Sequence, residues 1–150
     1  MIRRIAYPQI APEAYKALAA IRPALESSTI DKRLRALVEL RVSQINGCVY
    51  CVDMHSREAR HAGESGQRLD SLPVWRESPF FDDRERAALA WAESVTLVSQ
   101  TGVPDGVYEE ARKQYSEKEL VDLTYVVAVM NAWNRLAISF RQEPVFRSAS

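Results

Sequence analysis

The 150-residue sequence predicts a single all-α domain spanning residues 1–150. Apolar residues recur at helical spacing along most of it, and two Asp/Ser-x-x-Glu capping boxes open its long segments. No stretch alternates in the manner of a half-buried strand, and no repeat or low-complexity tract interrupts the pattern.

Residues 1–11 read as an irregular arm. Pro12 sits where a first helical turn tolerates a missing N–H, and a helix is predicted from there to about Glu26, with Ala14, Leu18, Ile21 and Leu25 as its apolar stripe. Ser27-Ser28-Thr29 breaks the chain with N-cap chemistry. A second helix follows from about Asp31 to Asn46, where Asn46-Gly47 is a stop, because both residues accept left-handed dihedrals. Leu34, Leu37, Val38, Arg41, Val42 and Ile45 share one side of this helix. Ala36, Glu39, Ser43 and Asn46 share another, which reads either as a solvated face or as a path leading Glu39 towards the cysteines.

A third helix opens at Cys48 and runs to about Ala62, before Gly63. Residues 64–79 form a short helical turn and a loop whose Trp75 packs back on the body. Asp82 and Glu85 cap a helix ending near Thr101-Gly102, and Pro104 starts another to about Tyr115. Ser116 and Glu119 cap the last helix, to about Phe140. It is apolar nearly all round, which predicts a central position or one buried between subunits, with Thr124, Ala128, Asn131 and Arg135 as its small or polar stripe.

Lys+Arg and Asp+Glu balance at 20 each, so there is no basic excess to follow a phosphate backbone, and nucleic acid is not expected as a partner. The N-terminal arginines are not followed by the apolar run of a secretory signal, and Leu120–Met130 is too short to span a bilayer. The expectation is a soluble, cytoplasmic protein with no membrane contact. In that reducing compartment, two cysteines three residues apart do not form a structural staple. Zero net charge and the apolar last helix predict self-association.

The stretch SQINGCVYCVDMH holds both cysteines and one of the two histidines. At about 100° per residue, Cys51 lies at about 300° and His55 at about 340° from Cys48, so two thiols and an imidazole face one direction. At a helix start the first thiol meets unsatisfied N–H groups and the positive dipole end, which favour thiolate. The second lies within disulfide reach, and His55 can take or relay a proton. Glu39, folded back, would orient that ring. Two other readings fit the same residues: inert buried cysteines, or a metal held by Cys48, Cys51 and His55 with Glu39 or water. His61, at about 220°, points away from that face. No cofactor motif is visible.

ELRVSQINGCVYCVDMH, with AGE at Ala62–Glu64, FDDRERAALAWAESVT and NAWNRLAISFR, resembles the carboxymuconolactone decarboxylase superfamily, in its AhpD-like alkyl hydroperoxidase branch. The resemblance implies an all-α fold with the thiols at a helix start beside a cavity, and a homo-oligomer, most often a hexamer built as a trimer of dimers. It implies reduction of a small-molecule hydroperoxide by Cys48 and Cys51, with His55 and Glu39 as proton relay, no cofactor and no metal, and re-reduction by a dithiol protein. The family's best-known peroxidase has its relay glutamate where this chain has Ala36, and a histidine where it has Tyr50. Two alternatives stay open: a cofactor-free lyase acting on a lactone acid, and a non-catalytic helical module.

Overall fold

The computed structural model describes residues 2–147, and every regular element among them is helical. The helices are α1 (Tyr7–Ile10), α2 (Pro12–Ala19), α3 (Arg22–Glu26), α4 (Lys32–Asn46), α5 (Val49–His61) and α6 (Gly66–Ser71) with a 3-10 turn at Leu72–Val74. They continue with α7 (Asp83–Thr96), α8 (Val98–Thr101), α9 (Asp105–Gln114) and α10 (Glu117–Ser139).

Three predicted segments divide differently. The arm contains the single turn α1. The predicted Pro12–Glu26 helix is broken, because Pro23 lacks an N–H and its ring collides with the carbonyl four residues back, so α2 stops at Ala19 and α3 starts afresh at Arg22. Leu97 leaves the α region (φ −95, ψ 32) and separates α7 from α8. Both capping boxes form as predicted, at Asp82/Glu85 and Ser116/Glu119, and Asp31 caps α4 through the N–H groups of Arg33 and Leu34 at 3.0 Å.

The centre of the molecule is α4. Leu34, Val38 and Val42 pack with Ala88 and Ala92 of α7 and with Leu123, Val126 and Val127 of α10. Its opposite side, Ala36, Leu37 and Leu40, meets Ala59, Leu72, Phe81 and Leu89, with Trp75 folded back as predicted. The Ala36–Asn46 stripe is therefore not a solvated face: Ala36 and Ser43 are buried, and Asn46 donates to Asn131 and Asn134 of α10. α10 is less enclosed than its composition suggests, since Val121, Tyr125 and Ile138 stay exposed in the single chain.

A buried carboxylate ties the outer layer to this centre. Glu64, its side chain fully enclosed, accepts from Arg33 at 2.6 Å and from Arg68 at 2.7 Å, and Arg68 continues to Glu85 at 2.5 Å. Burial pushes the Glu64 carboxyl up, but the bonds from Arg68 and Arg33 outweigh it and hold the group below the usual carboxylate range. Its stabilising effect is thus complete above that range and lost as pH falls through the depressed folded value. Glu64→Leu, which takes from Arg33 and Arg68 their shared buried carboxylate and leaves Arg68 with Glu85 and the Phe80 carbonyl, should cost about 2–4 kcal/mol in urea unfolding at pH 7. A loss under about 0.5 kcal/mol would show the cluster to be dispensable.

Candidate active site

Gly47 takes a left-handed conformation (φ 70, ψ 32), which ends α4 and reverses the chain. The Cys48 N–H then bonds the Ser43 carbonyl at 3.0 Å, so the turn is fixed from behind. Cys48 is extended and caps α5: its sulfur accepts the Cys51 N–H at 3.4 Å. Cys51, one turn on, brings its sulfur within 2.7 Å of Cys48 Sγ, and both thiols are free. Closing a disulfide would need little backbone movement.

The two thiols differ in acidity. The hydrogen bond from Cys51, reinforced by the Cys51 backbone N–H, the Asn134 amide and the nearby His55, outweighs burial and lowers Cys48 to about 7. Donating that bond, burial and the facing Cys48 charge push Cys51 well above the ordinary thiol range. The pair therefore loses its first proton near neutrality and its second only far above it.

His55, one turn beyond Cys51, is only 4% exposed. Its Nδ1 lies 2.8 Å from Glu58 Oε2 and 3.5 Å from Glu39 Oε2. The Glu58 contact is short but poorly aligned, and Nε2 has no protein partner. The structure thus brings together all four predicted residues, Glu39, Cys48, Cys51 and His55, and adds Glu58, which sequence reasoning missed. The signal was present: Glu58 follows His55 by three residues on one helix, the spacing at which side chains meet.

The two carboxylates are driven apart. Contact with His55, then the pull of His55 and Arg22 charge against burial, lowers Glu58 to about 2. Arg22, on α3, holds Glu58 at 3.3 Å and Glu26 at 2.8 Å. Burial raises Glu39, against the opposing charges of His55 and Arg35. Glu39, His55 and Glu58 offer ligand atoms within 4.8 Å of one another, and neither cysteine joins such a group among the described residues. The metal alternative built on the thiols is not the arrangement found.

A cavity of about 480 Å³ opens onto this cluster. Cys51, His55, Glu39 and Glu58 form its reactive wall, faced by Tyr7, Tyr15, Tyr50, Met54 and Trp133, while Cys48 lies behind Cys51 and does not line it. His61, predicted to point away, borders the same cavity, with Nδ1–H donated to the Arg57 carbonyl at 2.7 Å. No helix among the described residues is long and apolar enough to cross a membrane.

Comparison with known proteins places this geometry. Residues 12–94 match the carboxymuconolactone decarboxylase family. The chain is 40% identical over 139 residues to the uncharacterized protein YdfG of Bacillus subtilis, covering 93% of this chain and 95% of that one. A solved structure from Agrobacterium tumefaciens, of unknown function and provisionally assigned to antioxidant defence as AhpD, superposes with a TM-score of 0.95 at 42% identity, covering 97% of this chain and all of that one. An uncharacterized peroxidase-related protein from Silicibacter superposes at 0.80 with 26% identity, over 89% of this chain and 71% of that one. The chain belongs to the carboxymuconolactone decarboxylase family, and its fold is that of the AhpD-like, peroxidase-related proteins.

Proposed function

We propose that this protein is a thiol-dependent peroxidase acting on organic hydroperoxides. The observation that carries the reading is the pair of free sulfurs 2.7 Å apart, within easy reach of a disulfide, beside a buried histidine at the cavity wall with neither ring nitrogen hydrogen-bonded. Cys51 is the sulfur that a guest in the cavity meets. Its proton passes to Cys48 or His55, and the thiolate attacks the terminal oxygen of ROOH. The O–O bond breaks, Cys51 becomes a sulfenic acid, and the alkoxide takes a proton from His55 and leaves as ROH. Cys48 then attacks the sulfenic sulfur, water departs, and a Cys48–Cys51 disulfide remains. Two thiols have been oxidised and one peroxide reduced, and an external dithiol protein returns the two electrons.

In this scheme Glu58 orients the imidazole through Nδ1, leaving Nε2 to face the reacting atoms, and Glu39 accepts or returns the proton at the end of the relay. The cavity is far larger than hydrogen peroxide needs, and its aromatic walls suit an organic R group. Mild treatment of the reduced protein with cumene hydroperoxide should remove two free thiols per chain, and dithiothreitol should restore both. Thiols that survive equimolar peroxide for an hour would remove the reading and favour the lyase or the non-catalytic module.

We further propose that the protein works as an oligomer, with the exposed Val121, Tyr125 and Ile138 of α10 at a subunit contact. Light scattering at micromolar concentration should return a mass several times the 17.0 kDa of one chain, and a monomer would refute it.

A further inference from the structure

The protein leaves the bonding of His55 incomplete. The ring is only 4% exposed, yet neither of its nitrogens makes a hydrogen bond to a protein group. A buried polar atom in that condition bears its desolvation cost without return. Glu58 Oε2 stands 2.8 Å from Nδ1, but the in-plane direction of that nitrogen misses the oxygen, so closeness has not made a bond. Glu39 Oε2 stands 3.5 Å from the same nitrogen.

Groups that bond one another aim at one another, whereas groups that share a cation aim at the cation. Two donor atoms, each roughly 2.0–2.2 Å from one divalent ion, lie about 2.8–3.6 Å apart and need no mutual alignment. Nδ1 stands in that range from both carboxylates. Glu39, His55 and Glu58 can each offer one ligand atom with all three inside 4.8 Å, a spread that rotation of the two carboxylates narrows. Glu58 is steadied from outside: Arg22 holds Oε1 at 3.3 Å, which leaves Oε2 for the centre, as outer contacts orient metal ligands elsewhere. Arg22 and Arg35 oppose a further cation, but Arg22 is shared with Glu26 and Arg35 donates to the Leu25 carbonyl. Two carboxylates and a neutral imidazole cancel the charge of one divalent ion, so the filled site buries no net charge. All three residues line the cavity, which supplies both an entry path and an open coordination position.

We propose that Glu39, His55 and Glu58 form a binding site for a divalent cation of the zinc type, and that an ion held there switches the thiol site off. One nitrogen and two carboxylate oxygens suit zinc and its first-row neighbours, while magnesium and calcium prefer oxygen alone. The binding rests on the geometry, and only its consequence rests on the peroxidase reading. An ion on Nδ1 displaces the proton from that nitrogen, and the neutral ring then carries its proton on Nε2. In that form Nε2 donates but cannot accept, so it no longer takes the proton of Cys51. Both carboxylates are engaged by the ion at the same time, which removes the rest of the relay.

The test begins with the Cys48→Ser/Cys51→Ser protein, which has no thiol for a metal to prefer. Zinc titrated against a chromophoric chelator should bind at one ion per chain at micromolar concentration, and magnesium should not compete. Glu58→Gln in that background should weaken binding by about 10- to 100-fold or more, and His61→Ala, which removes the other histidine at the cavity, should not change it. In the reduced wild-type chain, cobalt as an optical probe should give visible bands without a thiolate-to-cobalt charge-transfer band. No zinc uptake by the double-serine protein, native affinity in folded Glu58→Gln, or a thiolate band in the wild type each overturns the site. Should Glu58→Gln not fold, Glu39→Gln is read in the same way. Zinc in excess should slow oxidation of the wild-type thiols by cumene hydroperoxide about tenfold or more, and EDTA should restore the rate. Zinc that binds without slowing oxidation overturns the switch. Metal-free protein inert to peroxide sinks the peroxidase reading instead, and the zinc titration still decides the site.

Discussion

Cys51→Ser should lower peroxide turnover by roughly a thousandfold or more, whereas Cys48→Ser should still perform one oxidation and then stall. The asymmetry follows from where the sulfurs sit. Cys51 lines the cavity and Cys48 does not, so a guest of any size reaches the second sulfur first. Acidity alone suggests the reverse, since Cys48 is the thiol lowered to about 7. The conflict dissolves because two thiols in contact titrate as a pair and not as separate groups, and reach decides which sulfur attacks. Removing Cys48 also removes the largest cause that raises Cys51, the bond donated to Cys48, together with the facing charge. Burial alone remains, and Cys51 ionises closer to the ordinary thiol range. Cys48→Ser treated with peroxide should therefore accumulate a sulfenic acid that dimedone traps on Cys51, without regaining multiple turnover. A dimedone adduct forming on Cys48 of the Cys51→Ser protein at the wild-type oxidation rate would reverse the assignment.

Most of the scaffold could be read from the chain because its signals are local. Capping boxes at Asp82 and Ser116, the stop at Gly47 and the shared face of Cys48, Cys51 and His55 each depend on residues within one or two turns. What could not be read depends on residues far apart in sequence. The α4 stripe looks solvated until α10 is laid across it, since Asn46 finds its partners 85 and 88 residues away. α10 misleads in the opposite direction: its composition is that of a fully buried helix, yet Val121 and Tyr125 lie open because no described element covers that side. The break in the first helix has a local cause, because Pro23 forbids the continuous segment that the apolar spacing of Leu18 and Ile21 suggests. The resemblance implies Glu39 as the relay carboxylate, although it stands one turn from the family's position, whereas the carboxylate nearer the histidine is Glu58, one turn on along the same helix.

Those two carboxylates should separate in a pH–rate profile. Glu58, lowered to about 2, carries its charge throughout the working range. Glu39, raised by burial, keeps its proton to a higher pH than an ordinary glutamate. The groups bearing on His55 are these two, with Arg22 of α3 behind Glu58 and Arg35 of α4 beside Glu39. A charged carboxylate 2.8 Å from Nδ1 favours the ring orientation and tautomer that place a proton on Nδ1, which leaves Nε2 for the reacting atoms when the ring is neutral. Glu58→Gln removes that anion, leaves Arg22 with Glu26 alone, and frees the imidazole to adopt either tautomer. The rate should fall about 10- to 100-fold across the whole profile, in line with general acid–base contributions. Glu39→Gln should act differently, because its carboxyl stands 3.5 Å from Nδ1 and is the group whose charge changes as pH rises. Below its raised ionisation the native group is already neutral, as glutamine is, so the variant should match wild type there within about threefold and fall behind only as pH rises through it. Stopped-flow oxidation of the reduced protein by cumene hydroperoxide between pH 5 and about 9 resolves the two shapes. A Glu39→Gln loss that exceeds the Glu58→Gln loss at every pH would return the orienting role to Glu39 and leave Glu58 as an anchor for Arg22.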